Sequence, residues 1–360
     1  MGKRGATTMS VRGTGNQAGN GNNGAAPSFA PIETELKLRA LPSVLNQVRT
    51  SPAILQCARN KGTIRRLEAT YYDTTDRQLF DAGVCLRVRR SGKQFTQTIK
   101  RPTINGPLVR EEWEALVGTL APDLSVLPTA EIDGIFNTIA VDQLVPILVA
   151  RIRRHAIALD VPDGQIEVAF DDGVTGAEQE PVSEIELELK QGRAAALYQF
   201  GLGLLDVAPL CLETQSKSAR GYALALKISP SAVKAGSSNL RREDSADEGI
   251  AKLLSGCQQQ ILANLCPAAS GHEPEGVHQL RVALRRLHTA FYILRRELDA
   301  PSLQALDSEA KRFARTLGPA RNWDVFIDST LAGIEKANLR DIEFSTLGNA
   351  SAPSGIKPSA

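Results

Sequence analysis

No run of roughly 18 apolar residues occurs in this chain, so the sequence offers no candidate membrane-spanning helix. The N-terminus lacks the apolar core of a secretory signal. Cysteine is sparse and unpatterned. Cys57, Cys85, Cys211, Cys257 and Cys266 form no CxxC pair, which argues against a disulfide framework or structural zinc and for a reducing, cytoplasmic setting. A net charge is nearly missing too: 42 Lys and Arg stand against 40 Asp and Glu. No global basic field points to nucleic acid, and any anion must be held by local clusters. No Ser-His-Asp or Cys-His arrangement is visible, which leaves water as the nucleophile for any hydrolysis.

At 360 residues and 42% hydrophobic content the chain can build two globular domains. Residues 1–29 are rich in Gly and Asn and predict a disordered tail. Within a domain spanning 30–228, residues 31–191 alternate with period 2 in eight segments: IETELKL, TIRRLEATYYDT, VCLRVRR, QFTQTIKRP, LVREEWEAL, ILVARIRRHAIALD, QIEVAFDDG and SEIELELK. They predict an α+β domain, an eight-stranded antiparallel β-barrel with flanking helices over 192–206 and 215–227. Residues 229–246 are small and polar and predict a linker. Period 3.6 then takes over through 247–340, predicting a C-terminal all-α domain. Residues 341–360 again predict disorder.

Residues i and i+2 of a strand share a face. Glu33, Glu35 and Lys37 therefore point together, as do Arg87 and Arg89. The same holds for Arg110, Glu112 and Glu114, for Arg151 and Arg153, and for Glu184, Glu186, Glu188 and Lys190. An ordinary solvated face mixes Thr, Ser, Gln and Lys, whereas these faces carry formal charges almost alone. Carboxylates at i, i+2 and i+4 repel one another unless a cation sits among them, and hard divalent ions prefer such oxygen ligands. Arginine forks suit phosphate oxygens.

These residues resemble the CYTH, or triphosphate tunnel metalloenzyme, family. Its ExExK signature falls on Glu33, Glu35 and Lys37. The likeness continues through Arg87, Arg89, Lys100, Arg110, Glu112, Glu114, Arg151, Arg153, Asp171, Gly173 and Glu184, Glu186 and Glu188 to Lys217 and Arg220. The resemblance implies an eight-stranded tunnel, with Glu33, Glu35, Lys37 and Arg110 as the catalytic set. Lys37, Arg87, Arg89, Lys100, Arg110, Arg151, Arg153, Lys217 and Arg220 would bind substrate. Glu33, Glu35, Asp171, Glu184, Glu186 and Glu188 would hold Mg²⁺ or Mn²⁺. A tunnel followed by a helical domain is similar to bacterial inorganic triphosphatases, which implies hydrolysis of tripolyphosphate to pyrophosphate and phosphate. The alternatives are another triphosphate (thiamine triphosphate or a nucleoside triphosphate, including ATP cyclisation) and a non-catalytic polyphosphate-binding protein.

In the helical part, His278, Arg281, Arg285 and His288 fall at i, i+3, i+7 and i+10, opposite Leu280, Leu284, Leu287, Phe291 and Leu294. VHQLRVALRRLHTAF resembles the CHAD domain, and LGPARNWDVF its second motif, with Asn322 in place of the usual Asp. The resemblance implies polyphosphate binding by His278, Arg281 and Arg285. About one of the family's two helical repeats is present, so this domain reads as partial.

Overall fold

In a computed structural model the described residues are 32–103, 106–126, 134–225, 228–297 and 301–331. The expected tails at 1–29 and 341–360 lie outside them.

Eight long strands form where the alternation places them: β1 (Ile32–Arg39), β2 (Thr63–Asp73), β3 (Cys85–Ser91), β4 (Gln94–Thr103), β5 (Gly106–Val117), β6 (Val145–Val161), β7 (Gly164–Thr175) and β8 (Glu180–Gly192). Their spatial order is β5-β4-β3-β2-β6-β7-β8-β1, and β1 also pairs with β5. That last pairing, Glu33 opposite Arg110, closes the sheet into an antiparallel barrel. The α+β class and the strand count stand as expected. A two-residue strand, β9 (Cys211–Leu212), pairs with the end of β1.

Closure gives the barrel two faces with different solvents. Outside β1, β6, β7 and β8, Leu36, Leu38, Leu159, Val168, Phe170, Ile185 and Leu187 form the largest apolar core. It is covered by helices α1 (Pro42–Arg49), α2 (Pro52–Leu55) and, further along the chain, residues 194–205. The sequence pattern had not suggested α1 and α2. Pro42 and Pro52 sit at the first helical turn, where a missing N–H costs nothing. A second core on β2, β3, β4 and β5 joins Leu86, Val88, Ile99 and Trp113 to Leu79 of α3 (Gln78–Asp81) and to Phe136 of α4 (Ile135–Thr138). Asp73, fully buried, anchors α3 by accepting hydrogen bonds from the backbone N–H groups of Thr74, Leu79 and Phe80.

Two helices complete the barrel domain: α5 (Ala194–Leu205) on its flank and α6 (Lys217–Ala225) across one end. There Tyr222 donates to Asp73 at 2.7 Å, and Gly221 lies against Leu148 closely enough that a Cβ would come within 2.1 Å of it.

Residues 228–245 hold no helix or strand, but the segment is not free. Asn264, fully buried, grips Val233 by both its backbone N–H and its C=O, at 2.9 and 2.8 Å. The helices that follow are α7 (Ala246–Ser270), α8 (Pro274–Glu297), α9 (Pro301–Thr316) and α10 (Gly318–Val325), then a π-helical turn over Phe326–Leu331. Ser245 and Glu248 cap α7 reciprocally. The apolar stripe of α8 is buried as patterned, with Leu280 and Leu284 against Ala310 of α9. No helix among the described residues is long and apolar enough to cross a membrane.

Candidate functional site

The barrel encloses a cavity of about 230 Å³. Among the described residues, eight carboxylates line it: Glu33, Glu35, Glu112, Glu114, Glu167, Asp171, Glu186 and Glu188. Eight cations face them: Lys37, Arg87, Arg89, Lys100, Arg110, Arg154, Lys190 and Lys217. The wall is therefore electrically balanced.

Strand register sorts these charges into rows. Across β6, β7 and β8, Arg154 stands opposite Asp171 and Asp171 opposite Glu184. One row on, Glu186 stands opposite Lys37. α6 adds Lys217, whose Nζ lies 2.8 Å from Asp171 and 2.7 Å from Glu186 and also contacts Glu184. Arg154 forks onto Asp171 at 2.7 and 2.6 Å and reaches Glu186. Arg220 pairs with Glu184 at 2.5 Å and with Glu213 at 3.3 Å. Asp171, Glu184 and Glu186 thus form the expected buried acidic cluster, with carboxylate oxygens within 4.8 Å of one another. Its charge is met by protein cations. Burial pushes Asp171 and Glu186 up, but Lys217 and Arg154 outweigh it and hold both below the usual carboxylate range. Lys217 is held well above its ordinary value by the same three acids, against its burial.

The next row is different. Glu167 on β7 stands opposite Glu188 on β8, which stands opposite Glu35 on β1. Three neighbouring carboxylates side by side repel one another. Burial raises the pKa of Glu188, Glu33 and Glu112 raise it further, and only Lys190, 2.6 Å away, opposes them. Lys37 serves Glu35 at 3.0 Å, and Lys100 serves Glu33 at 2.5 Å and Glu112 at 3.3 Å. The metal set expected from the sequence therefore divides in two. Glu33, Glu35 and Glu188 gather with Glu167 and Glu112, while Asp171, Glu184 and Glu186 gather around Lys217.

On the opposite wall Arg87 lies 3.8 Å from Glu112 and donates to Thr98 at 3.2 Å, yet its buried Nε has no partner. Arg89, 3.5 Å from Glu114, is pushed down to about 10 by Arg87, by its burial and by Arg154, and stays protonated at neutral pH. Arg110 lines the cavity, and among the described residues it has no hydrogen-bond or ion-pair partner.

Three expected substrate ligands, Arg151, Arg153 and Arg220, need correction. Arg151 and Arg153 lie on the outer face of β6, where Arg151 pairs with Glu68 at 3.3 Å. The residue that enters the lumen is Arg154. RIRRH puts arginine on both phases of the alternation, so period 2 alone could not choose. Ala150 and Ile152, which share the inward phase of Arg154, look like outward residues by their chemistry. They belong to an apolar inner wall with Leu67, Ala69 and Tyr71. Arg220 and Glu184 stand behind the lining rather than in it. Glu167 and Arg154 were missed; the signal for Glu167 was its i, i+4 phase with Asp171.

In the helical part Arg281 donates to the carbonyl of Ala314 at 2.6 Å, and the ring Nδ1 of His288 lies 2.5 Å from the buried carboxylate of Asp307. Two members of the basic stripe are thus engaged by α9, while His278 is half-buried and Arg285 exposed.

Together these features define a class: a closed antiparallel barrel whose charge-balanced lumen sets a wall of cations against a crowded acidic row. The CYTH domain model matches residues 31–222, more than half of the chain, and the protein belongs to the CYTH family. The CHAD domain model matches residues 252–352. The inorganic triphosphatase of Haemophilus influenzae is 30% identical over 210 residues, which are 54% of this chain and 55% of that protein. The chain thus spans about half the length of the curated relative it matches. Among solved structures, a candidate adenylate cyclase from Bacillus halodurans is similar over 52% of this chain and 96% of its own, at 20% identity and a TM-score of 0.39. A Hippeastrum protein with a dominant triphosphatase activity is similar over 53% and 95%, at 17% identity and a TM-score of 0.41.

Proposed function

We propose that the tunnel hydrolyses inorganic triphosphate to pyrophosphate and phosphate, with Mg²⁺ or Mn²⁺ as cofactor. The observation that carries this reading is the balance of the lining. A triphosphate adds several negative charges to a wall that has none to spare, so cations beyond the protein's own are needed. The crowded row of Glu35, Glu167 and Glu188, with Glu33 beside it, supplies the hard oxygen donors that suit such an ion. Glu33, Glu35, Glu167 and Glu188 would hold the ion, which would supply neutralisation of phosphoryl charge and a lowered pKa for the nucleophilic water.

The protein's own groups do the positioning. Arg110, whose side chain has no partner among the described residues, and Arg87, with its orphaned Nε, can donate to phosphate oxygens without first giving up a full set of internal bonds. Lys37, Lys100, Arg89 and Arg154 reach the lumen while holding carboxylates, so each can share its protons between protein and substrate. Lys217 is held charged and in place by Asp171, Glu184 and Glu186. Arg220 acts one step back, fixing Glu184. The relative matched over 55% of its length, an inorganic triphosphatase, supports this substrate.

A second reading rests on the apolar inner wall of Leu67, Ala69, Tyr71, Ala150 and Ile152, which could face the organic group of a thiamine or nucleoside triphosphate. A panel of triphosphates with the full chain separates the two. Fastest turnover on tripolyphosphate supports the first reading, and fastest turnover on an organic triphosphate replaces it. Glu35→Gln keeps volume and removes a donor charge. It should abolish turnover while the circular dichroism of the barrel is unchanged, and wild-type turnover would remove Glu35 from the ion site.

A further inference from the structure

Apart from Arg154, the wall made by β2 and β6 inverts the rest of the barrel: Leu67, Ala69, Tyr71, Ala150 and Ile152 point in, and Arg66, Arg151 and Arg153 point out. Arg66, Arg90, Arg151 and Arg153 are all exposed on this outer face. They line an open groove of about 590 Å³, which continues past Arg153 and Asp172 into a smaller cleft of about 200 Å³ bordered by Arg49 of α1. Five arginines thus face two acids, Glu68 and Asp172. Glu68 is shared, 3.6 Å from Arg90 and 3.3 Å from Arg151. Arg66 and Arg153 are direct neighbours across β2 and β6, and among the described residues neither side chain has a hydrogen-bond or ion-pair partner. Like charges set opposite each other weaken a sheet unless an anion lies between them. Guanidinium forks are the side chains best matched to phosphate oxygens.

We propose that this outer groove binds inorganic polyphosphate, a chain too long for the tunnel alone, as a surface separate from the lumen. The choice of phosphate chain rests on the reading of the tunnel as a phosphoanhydride site. Single-stranded nucleic acid is the less favoured occupant. Such sites stack bases on aromatic faces, and among the described residues bordering the two clefts the rings are Phe170, which is buried, and His155, which is held by the carbonyl of Lys61.

The test compares the full chain with an Arg66→Gln/Arg90→Gln variant, using long-chain polyphosphate as the probe at several salt concentrations. The expected result is affinity about tenfold weaker at low salt and a shallower salt dependence, by somewhat under one for each phosphate contact removed. Tripolyphosphate turnover should stay at the wild-type rate. Equal affinity and slope in the two proteins would overturn the proposal, as would tighter, arginine-dependent binding of single-stranded RNA than of polyphosphate. A fall in tripolyphosphate turnover would also overturn it, by tying these arginines to the lumen. If even the wild type leaves tripolyphosphate intact, the hydrolase reading fails, while the binding difference still decides the groove.

Discussion

Lys217 shows how much a single side chain carries in this lumen. It is buried and is the one cation that meets all three carboxylates, which otherwise divide Arg154, Arg220 and Lys37 among them. Removing one partner of a buried ion pair costs about 3–5 kcal/mol, and here it leaves three buried carboxylates with excess negative charge. Lys217→Met should therefore lower unfolding free energy by that order in urea titration, as well as turnover. A loss below about 1 kcal/mol would mean that water reaches this cluster. Glu188 behaves oppositely. Its folded pKa is raised, so the barrel holds its proton more tightly than the unfolded chain does. Stability is lost as pH rises from the ordinary carboxylate range through the raised value. Glu188→Gln should thus raise the melting temperature at pH 8 in the absence of divalent ions, and the gain should vanish near pH 4. A gain that persists at pH 4 would come from something other than charge. The sequence made Glu33, Glu35, Lys37, Arg87 and Lys100 legible because each alternates with an apolar residue that must face out. It failed at Arg154 because its inward neighbours, Ala150 and Ile152, are apolar as well.

At the scale of elements, the period-2 pattern located all eight strands, since each has an apolar outer face to bury. It could not reveal the β2–β6 wall, where the outer face is polar and the inner face apolar, because alternation fixes two faces without saying which is the lumen. Nor could it show which glycines the barrel needs. Gly173 of β7 sits so close to β6 that a Cβ would fall 2.1 Å from the carbonyl oxygen of Arg151 and 2.9 Å from the Cα of Ile152. Both contacts are backbone, so the strands must part. Gly173→Ala should destabilise the barrel by about 1–3 kcal/mol, the usual cost of overpacking. Unchanged thermal stability would show that β6 and β7 are further apart in solution.

At the scale of the whole molecule, the three apolar clusters of the barrel and every lining charge fall between residues 32 and 222. A chain of residues 30–228 should fold and keep the turnover of the full protein; an inactive or insoluble product beside an active full-length chain would show that the helical part completes the site. The central claim is that this lumen works only with a divalent ion, because its own charges cancel and the Glu35, Glu167 and Glu188 row stands unbalanced. The most direct measurement is phosphate and pyrophosphate release from pure tripolyphosphate by the full-length protein, first in EDTA and then with Mg²⁺ or Mn²⁺ restored. The account predicts no turnover in chelator and recovery on adding either ion. Full turnover in chelator would contradict it.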